Sequence, residues 1–239
     1  MLRFLFVILV CMPDILYYVP KMRRWAANPT KYTLKRCYLM TKVMIKIIQT
    51  KGFIITRAYG KENLPKDTGY IMFPNHQGKY DVLGIMATHK EPCSFVMDSE
   101  RAKLPIVKDF VKFIRAITLD KSSIKQQRIA IKELSREAEN GNKYIIFPEG
   151  GYSNNGNRLQ KFYSGCFRSA VDAKCPIVPV ALINSYKVFT GLKLTPVFTR
   201  VYYLEPIYYD DYKNMKTSEI SELVKSRIDA LIASKVRRR

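Results

Sequence analysis

Two residues that could exchange a proton stand five apart in the stretch Phe73-Pro74-Asn75-His76-Gln77-Gly78-Lys79-Tyr80-Asp81. A carboxylate bonded to one imidazole nitrogen fixes the tautomer and leaves the other nitrogen free to take a proton, the arrangement of a general base. Residues five apart do not share a face of a regular helix. For His76 and Asp81 to meet, the chain between them must turn, and Gly78 makes that easy. A lone histidine at a strand end is more often structural than catalytic, so a second motif matters. Phe147-Pro148-Glu149-Gly150-Gly151-Tyr152-Ser153 supplies it with the same grammar: an apolar run, a proline stop, then a charged residue on a glycine-rich turn.

The elements that must position these residues follow from the hydrophobic pattern. Tyr70 to Phe73 reads as a buried strand stopped by Pro74, and a helix begins near Asp81, where a carboxylate suits the helix dipole. His76 then lies at the carboxyl end of a strand, where open α/β sheets place their ligands. Further strands are expected over 52–58, 94–97, 116–119, 144–147, 177–183 and 197–204. Helices are expected over 106–115, 123–139, 165–173 and 218–235. Such alternation gives an α/β sandwich, with a mixed, largely buried β-sheet flanked by helices.

The N-H-x4-D block of His76 and Asp81, followed by F-P-E-G, resembles the glycerolipid acyltransferase family, in particular its bacterial 1-acyl-sn-glycerol-3-phosphate acyltransferases. Ala116 to Ser122 looks like the family's intermediate block and Cys175 to Leu182 like its closing proline-valine block, so four blocks stand in the family's order. The resemblance implies transfer of a fatty acyl group from a thioester to the free hydroxyl of lysophosphatidic acid, giving phosphatidic acid. His76 would be the base and Asp81 its orienter. The family proceeds by direct attack, which leaves Ser153 and Cys166 without a required role as nucleophiles.

Glu149, Gly150 and Gly151 fall in the implied substrate-binding block. The family offers the substrate phosphate an arginine in the intermediate block and another in its F-P-E-G-T-R-S block; here Lys121 and Tyr152 occupy those positions. Lys121 keeps the charge but not the bidentate fork, and is expected to carry the phosphate contact. Arg158, Lys161 and Lys79 are near enough in sequence to compensate. A different lysophospholipid, or glycerol phosphate itself, stays open as acceptor. The donor is expected to be acyl-acyl carrier protein or acyl-coenzyme A, with no metal or redox cofactor.

The chain carries 41 basic and 20 acidic residues, a formal charge of +21 over 239 residues, which implies an anionic partner. Sixteen tyrosines and the Arg237-Arg238-Arg239 tail would suit nucleic acid. The basic residues are spread along the chain, however, and no helix-turn-helix, zinc finger or RNA-recognition signature occurs, so no nucleic acid is expected. Five scattered cysteines without a C-x-x-C pair fit a reducing compartment.

At the N-terminus, the apolar run from Leu2 to Met12 is too short to span about 30 Å of hydrocarbon. Extending it to Val19 puts Asp14 at depth, which is costly. Arg3 and the short apolar core suit a signal peptide, but no small-residue cleavage site follows. The expectation is a retained hairpin or interfacial anchor broken at Pro13, with Lys21, Arg23 and Arg24 on the cytoplasmic side; a buried core helix is the alternative. Residues 31–50 form a basic amphipathic helix that either lies on an anionic membrane or packs on the domain. Residues 1–50 thus read as membrane-associating helices and 51–239 as the acyltransferase domain, at the cytoplasmic face of the cell membrane.

Overall fold

The computed structural model describes residues 2–191 and 195–236; the basic tail Arg237-Arg238-Arg239 lies outside them. Strands β1 (Ile54–Tyr59), β2 (Tyr70–Pro74), β3 (Cys93–Asp98), β4 (Ile117–Leu119), β5 (Lys143–Ile145), β6 (Ile177–Ile183) and β7 (Val197–Tyr203) build one seven-stranded sheet, in the order β1-β7-β6-β2-β5-β3-β4. From β6 to β4 every neighbouring pair is parallel; β7 runs antiparallel to β6, and β1 parallel to β7. The sheet is mixed, and every residue of β2 and β6 is buried. Both strands are continuous apolar runs because both faces are covered.

Around the sheet stand α1 (Leu2–Val10), α2 (Met12–Ala26), α3 (Leu34–Lys51), α4 (Asp81–Thr88), α5 (Ser99–Ala102), α6 (Val107–Phe113), α7 (Ile124–Glu139), α8 (Arg168–Ala173), α9 (Tyr209–Tyr212) and α10 (Thr217–Lys235). Alternation along β2 divides the core. Ile71 and Phe73 join Leu134 of α7 and Val224 and Ile228 of α10 on one face. Tyr70 and Met72 join Tyr38 and Ile45 of α3 and Ile85 of α4 on the other. Burying each such side chain contributes roughly 1.5–3 kcal/mol.

Three departures from expectation have physical causes. Pro179, a residue that suits the edge of a sheet, stands in β6, which lies inside it. The Pro179 carbonyl accepts the Leu204 amide at 3.0 Å where the β7 ladder ends, so the amide it lacks falls on the side where pairing stops. The N-terminal break comes at Cys11, with α1 and α2 bent by 69°, and Pro13 sits in the first turn of α2, where its missing N–H is not needed. Asp14, costly at depth, and Arg3, read as suiting a signal peptide, both turn toward the domain. Arg3 is buried and donates to the carbonyls of Thr195 (2.9 Å) and Gly52 (2.6 Å), and Asp14 pairs with Lys51 at 2.5 Å.

Among the described residues no single helix is long and apolar enough to cross a bilayer; the bent α1–α2 pair passes that test only jointly. Leu2, Leu5, Leu9, Met12 and Leu16 are exposed along it. Arg23, from the basic group closing α2, pairs with the buried Asp109 of α6 at 2.9 Å. Of the two openings left for residues 31–50, packing is seen: α3 buries Cys37, Tyr38, Met40, Thr41 and Ile45 against the domain. Its outward side still carries Leu39 and Val43 between exposed cations.

The second histidine, His89, ends α4 inside the core. Its Nδ1 donates to the Glu91 carbonyl (2.7 Å), so Nε2 accepts from the Tyr70 hydroxyl (2.6 Å). Burial pushes the imidazole down to about 4. A depressed histidine contributes stability that is present above its unfolded value, near 6.5, and is lost as pH falls toward the folded one. Unfolding free energy is therefore expected to drop by roughly 3 kcal/mol from this group between pH ~6.5 and ~4. Urea titrations across that range check it: His89→Gln should flatten the slope, and an unchanged slope contradicts the assignment.

Candidate active site

Because β6, β2, β5, β3 and β4 run parallel, their carboxyl ends crowd one edge of the sheet, the place where such folds bind ligands. His76 follows β2 there, Glu149 follows β5, Asp98 ends β3, Lys121 follows β4 and Ser185 follows β6. The two glycine-bearing turns singled out in the sequence come from adjacent strands and meet. The His76 and Phe147 rings stack with centroids 4.0 Å apart, and Tyr152 stands edge-on to His76 at 4.8 Å.

His76 Nδ1 lies 2.7 Å from Asp81 Oδ2. That oxygen also accepts the backbone amides of Gln77 (2.5 Å) and Gly78 (2.8 Å), while Oδ1 accepts the Ser185 hydroxyl (2.5 Å). An oxygen already receiving two N–H groups acts as an acceptor, so Nδ1 carries the proton and Nε2 is left basic. Asp81 is fully buried and the His76 side chain is 17% exposed, so the carboxylate is enclosed while the imidazole reaches open space. The turn closes because the first residue of α4 reaches back over Gly78.

Two amide side chains brace this loop against the neighbouring strand. Asn75 donates to the Leu182 carbonyl (3.1 Å) and accepts its amide (2.7 Å), continuing the β2–β6 ladder with a side chain. Gln77 accepts the Ser185 amide (2.8 Å) and donates to Asn157 (2.9 Å), which in turn bonds Asn184. The turn-rich loop containing Asn157 thereby becomes part of the site's frame.

On the facing turn, Glu149 is buried and its Oε2 accepts from Gln160 at 2.6 Å. Burial pushes this carboxyl above the ordinary range, opposed by the Gln160 bond and the nearby His76 amide. Gly150 adopts φ +67°, a region that favours glycine, and a Cβ there would meet the Tyr163 ring at 3.4 Å. Lys121 donates to the Gly150 carbonyl (2.5 Å) and pairs with Asp98 (3.1 Å), bracing the turn. Arg158 is exposed, and its backbone serves the loop through bonds with Asn155; its side chain is not in the cavity wall. Ser153 bonds Asn155 and Gln160, and Cys166 bonds the Tyr163 carbonyl, so neither is joined to His76.

The edge opens into a cavity of about 2320 Å³, well above the ~300–1,000 Å³ of an ordinary small-molecule site. His76, Glu149, Gly151 and Lys121 line it together with Lys79 and Arg101. From His76 it runs between α1, α2 and α3 past Phe4, Val7, Ile15, Met22 and Ile48. Among the described residues no cluster of three His, Cys, Asp or Glu side chains is placed to hold a metal ion. Sequence reasoning missed Ser185, Gln77 and Arg101. Ser185 was findable, since it follows the apolar run Ile177–Ile183, whose end must share the edge if the strands are parallel.

The family model described as acyltransferase matches residues 55–183, more than half of the chain. Curated relatives include lysophosphatidylcholine acyltransferase 1 of Rattus norvegicus, 26% identical over 61% of this chain and 26% of its own length. Another is the 1-acyl-sn-glycerol-3-phosphate acyltransferase of Borreliella burgdorferi, 26% identical over 64% of this chain and 60% of its own length. The chain thus spans about a quarter of the rat enzyme and 60% of the bacterial one. The crystal structure of the 1-acyl-sn-glycerophosphate (LPA) acyltransferase PlsC from Thermotoga maritima superposes with a TM-score of 0.81 at 21% identity, covering 100% of this chain and 96% of that one; it shares the fold. With the matched region enclosing both the His76–Asp81 turn and the Glu149 turn, this chain belongs to the acyltransferase family.

Proposed function

We propose that the chain transfers a fatty acyl group from a thioester donor to the free hydroxyl of 1-acyl-sn-glycerol-3-phosphate, giving phosphatidic acid. The observation that carries the reading is the His76 imidazole, aimed by a buried carboxylate, in the wall of a cavity lined both by apolar residues of α1, α2 and α3 and by the cations Lys79, Arg101 and Lys121. A hydroxyl is a poor nucleophile until a base takes its proton as it attacks. His76 Nε2 takes that proton while the acceptor oxygen bonds to the thioester carbonyl. The C–S bond then breaks, and the leaving thiolate recovers the proton from the imidazolium. Asp81 holds the ring and stabilises its charged form.

Glu149 organises its turn and meets a substrate hydroxyl, while Gly150 and Gly151 admit the substrate close to the backbone. Lys121 holds that turn beside the phosphate. The acyl chains lie against α1, α2 and α3. The exposed apolar row on α1 and α2 dips into the cytoplasmic face of an anionic membrane, held by surrounding cations. Acyl carrier protein or coenzyme A carries the donor.

The relatives' names cover two acceptors, a phosphomonoester and a zwitterionic phosphocholine diester. The cations in the cavity favour the phosphomonoester. The test is thiol release from a long-chain acyl thioester, on both carriers, with lysophosphatidic acid, lysophosphatidylcholine or glycerol 3-phosphate, the lysolipids presented in anionic vesicles. The fastest release is expected with lysophosphatidic acid, and the protein should sediment with the vesicles. Preference for lysophosphatidylcholine would transfer the reading to that acceptor, and protein left in the supernatant would remove the membrane role.

A further inference from the structure

We infer that Arg101, steadied on the ring of Tyr152, is the cation that receives the acceptor's phosphomonoester; this rests on the acceptor named above. The position after Phe147-Pro148-Glu149-Gly150-Gly151, where the resembled family has an arginine, holds Tyr152. A guanidinium nonetheless stands there, delivered from another strand. Arg101 lies on α5, just beyond β3, and its guanidinium carbon is 5.2 Å from the Tyr152 ring centroid; Nη1 donates to the Tyr152 hydroxyl at 3.3 Å. The same ring stands edge-on to His76 at 4.8 Å. A single aromatic side chain therefore touches the proposed base on one side and an arginine on the other, both lining the cavity.

The other cations close to the two motifs are less suited. Lys121 is engaged by Asp98 and by the Gly150 carbonyl, and so balances the carboxylate at the end of β3. Lys79 sits over the Phe4 ring at 4.2 Å, beside the apolar wall. Arg158 and Lys161 lie outside the wall, Lys161 beside the Tyr163 ring at 6.0 Å. Arg101 has no carboxylate partner among the described residues, the adjacent Glu100 being taken by Lys103. One bond to Tyr152 leaves most of its five N–H donors available, and a planar fork grips two phosphate oxygens at once. Tyr152 thus replaces a charge with a platform for a charge brought from elsewhere.

Steady-state kinetics of the full chain with 1-acyl-sn-glycerol-3-phosphate, monoacylglycerol and the thioester donor test this. Arg101→Ala should raise the KM for the phosphate acceptor about 10- to 100-fold. Its kcat should stay within about threefold, with the donor KM and any turnover of the uncharged acceptor unchanged. Arg101→Lys should recover part of the loss, since it restores charge without the fork. Tyr152→Phe, which keeps the platform and drops one bond, should fall between Arg101→Ala and wild type. A folded Arg101→Ala protein with wild-type acceptor KM, or with equal rises for donor and acceptor, overturns the inference while leaving the acyl-transfer reading intact. Wild-type protein that uses no phosphate-bearing acceptor overturns both.

Discussion

His76→Ala is expected to lower acyl transfer about 10²–10⁴-fold, the usual worth of a positioned general base, with little change in stability. The second half of that expectation comes from the hydrogen bonds around Asp81. When the imidazole is removed, Asp81 still accepts the Gln77 and Gly78 amides and the Ser185 hydroxyl, so the loop keeps its closure. The ring is partly exposed and flanked by Phe147 and Tyr152, which can settle toward the space. Thiol release and a thermal melt on the same sample separate the two effects. A variant with the wild-type melt and the wild-type rate would end the role assigned to His76.

Asp81 should show a split that depends on the replacement. Asparagine is nearly isosteric; its oxygen can face the Gln77 and Gly78 amides and its NH₂ the Ser185 hydroxyl. Asp81→Asn should therefore fold, and lose about 10–10²-fold in rate, because the imidazolium formed during transfer no longer faces a negative charge. Asp81→Ala removes every acceptor and leaves two enclosed amides unsatisfied, at about 1–3 kcal/mol each. It should unfold at markedly lower denaturant as well as lose activity. Equal stability of the alanine and asparagine forms would show that the carboxylate does not hold the turn. A wild-type rate for the asparagine form would show that it does not support the base.

Much of this site was legible because its information is local. Tyr70 to Pro74 and Tyr144 to Pro148 each read as an apolar run stopped by proline, and both motifs sit on the turns that follow. β2 and β5 pair side by side and parallel, and the sheet thereby brings those turns together at one edge. What escaped is non-local. Ser185 reaches Asp81, and Asn157 reaches Gln77, from over 70 residues downstream; only the apolar run before Ser185 marks its place at the edge, and nothing near Asn157 marks its own. Arg101 escaped for the opposite reason: the motif pointed to a cation within its own block, while the fold supplies one from across the cavity. Hydropathy likewise could not say that Asp14 would find Lys51, or that Arg3 would be drawn into the domain, since both depend on where α1 docks.

If His76 and Asp81 act as one device, their losses must not multiply. The most direct measurement is kcat/KM for acyl transfer by wild type, His76→Ala, Asp81→Asn and the double variant, under identical conditions. The double variant should be no slower than His76→Ala alone, since without the imidazole the carboxylate has nothing to orient. A double variant slower by the product of the two single losses would contradict the account, because the two residues would then be serving the reaction independently.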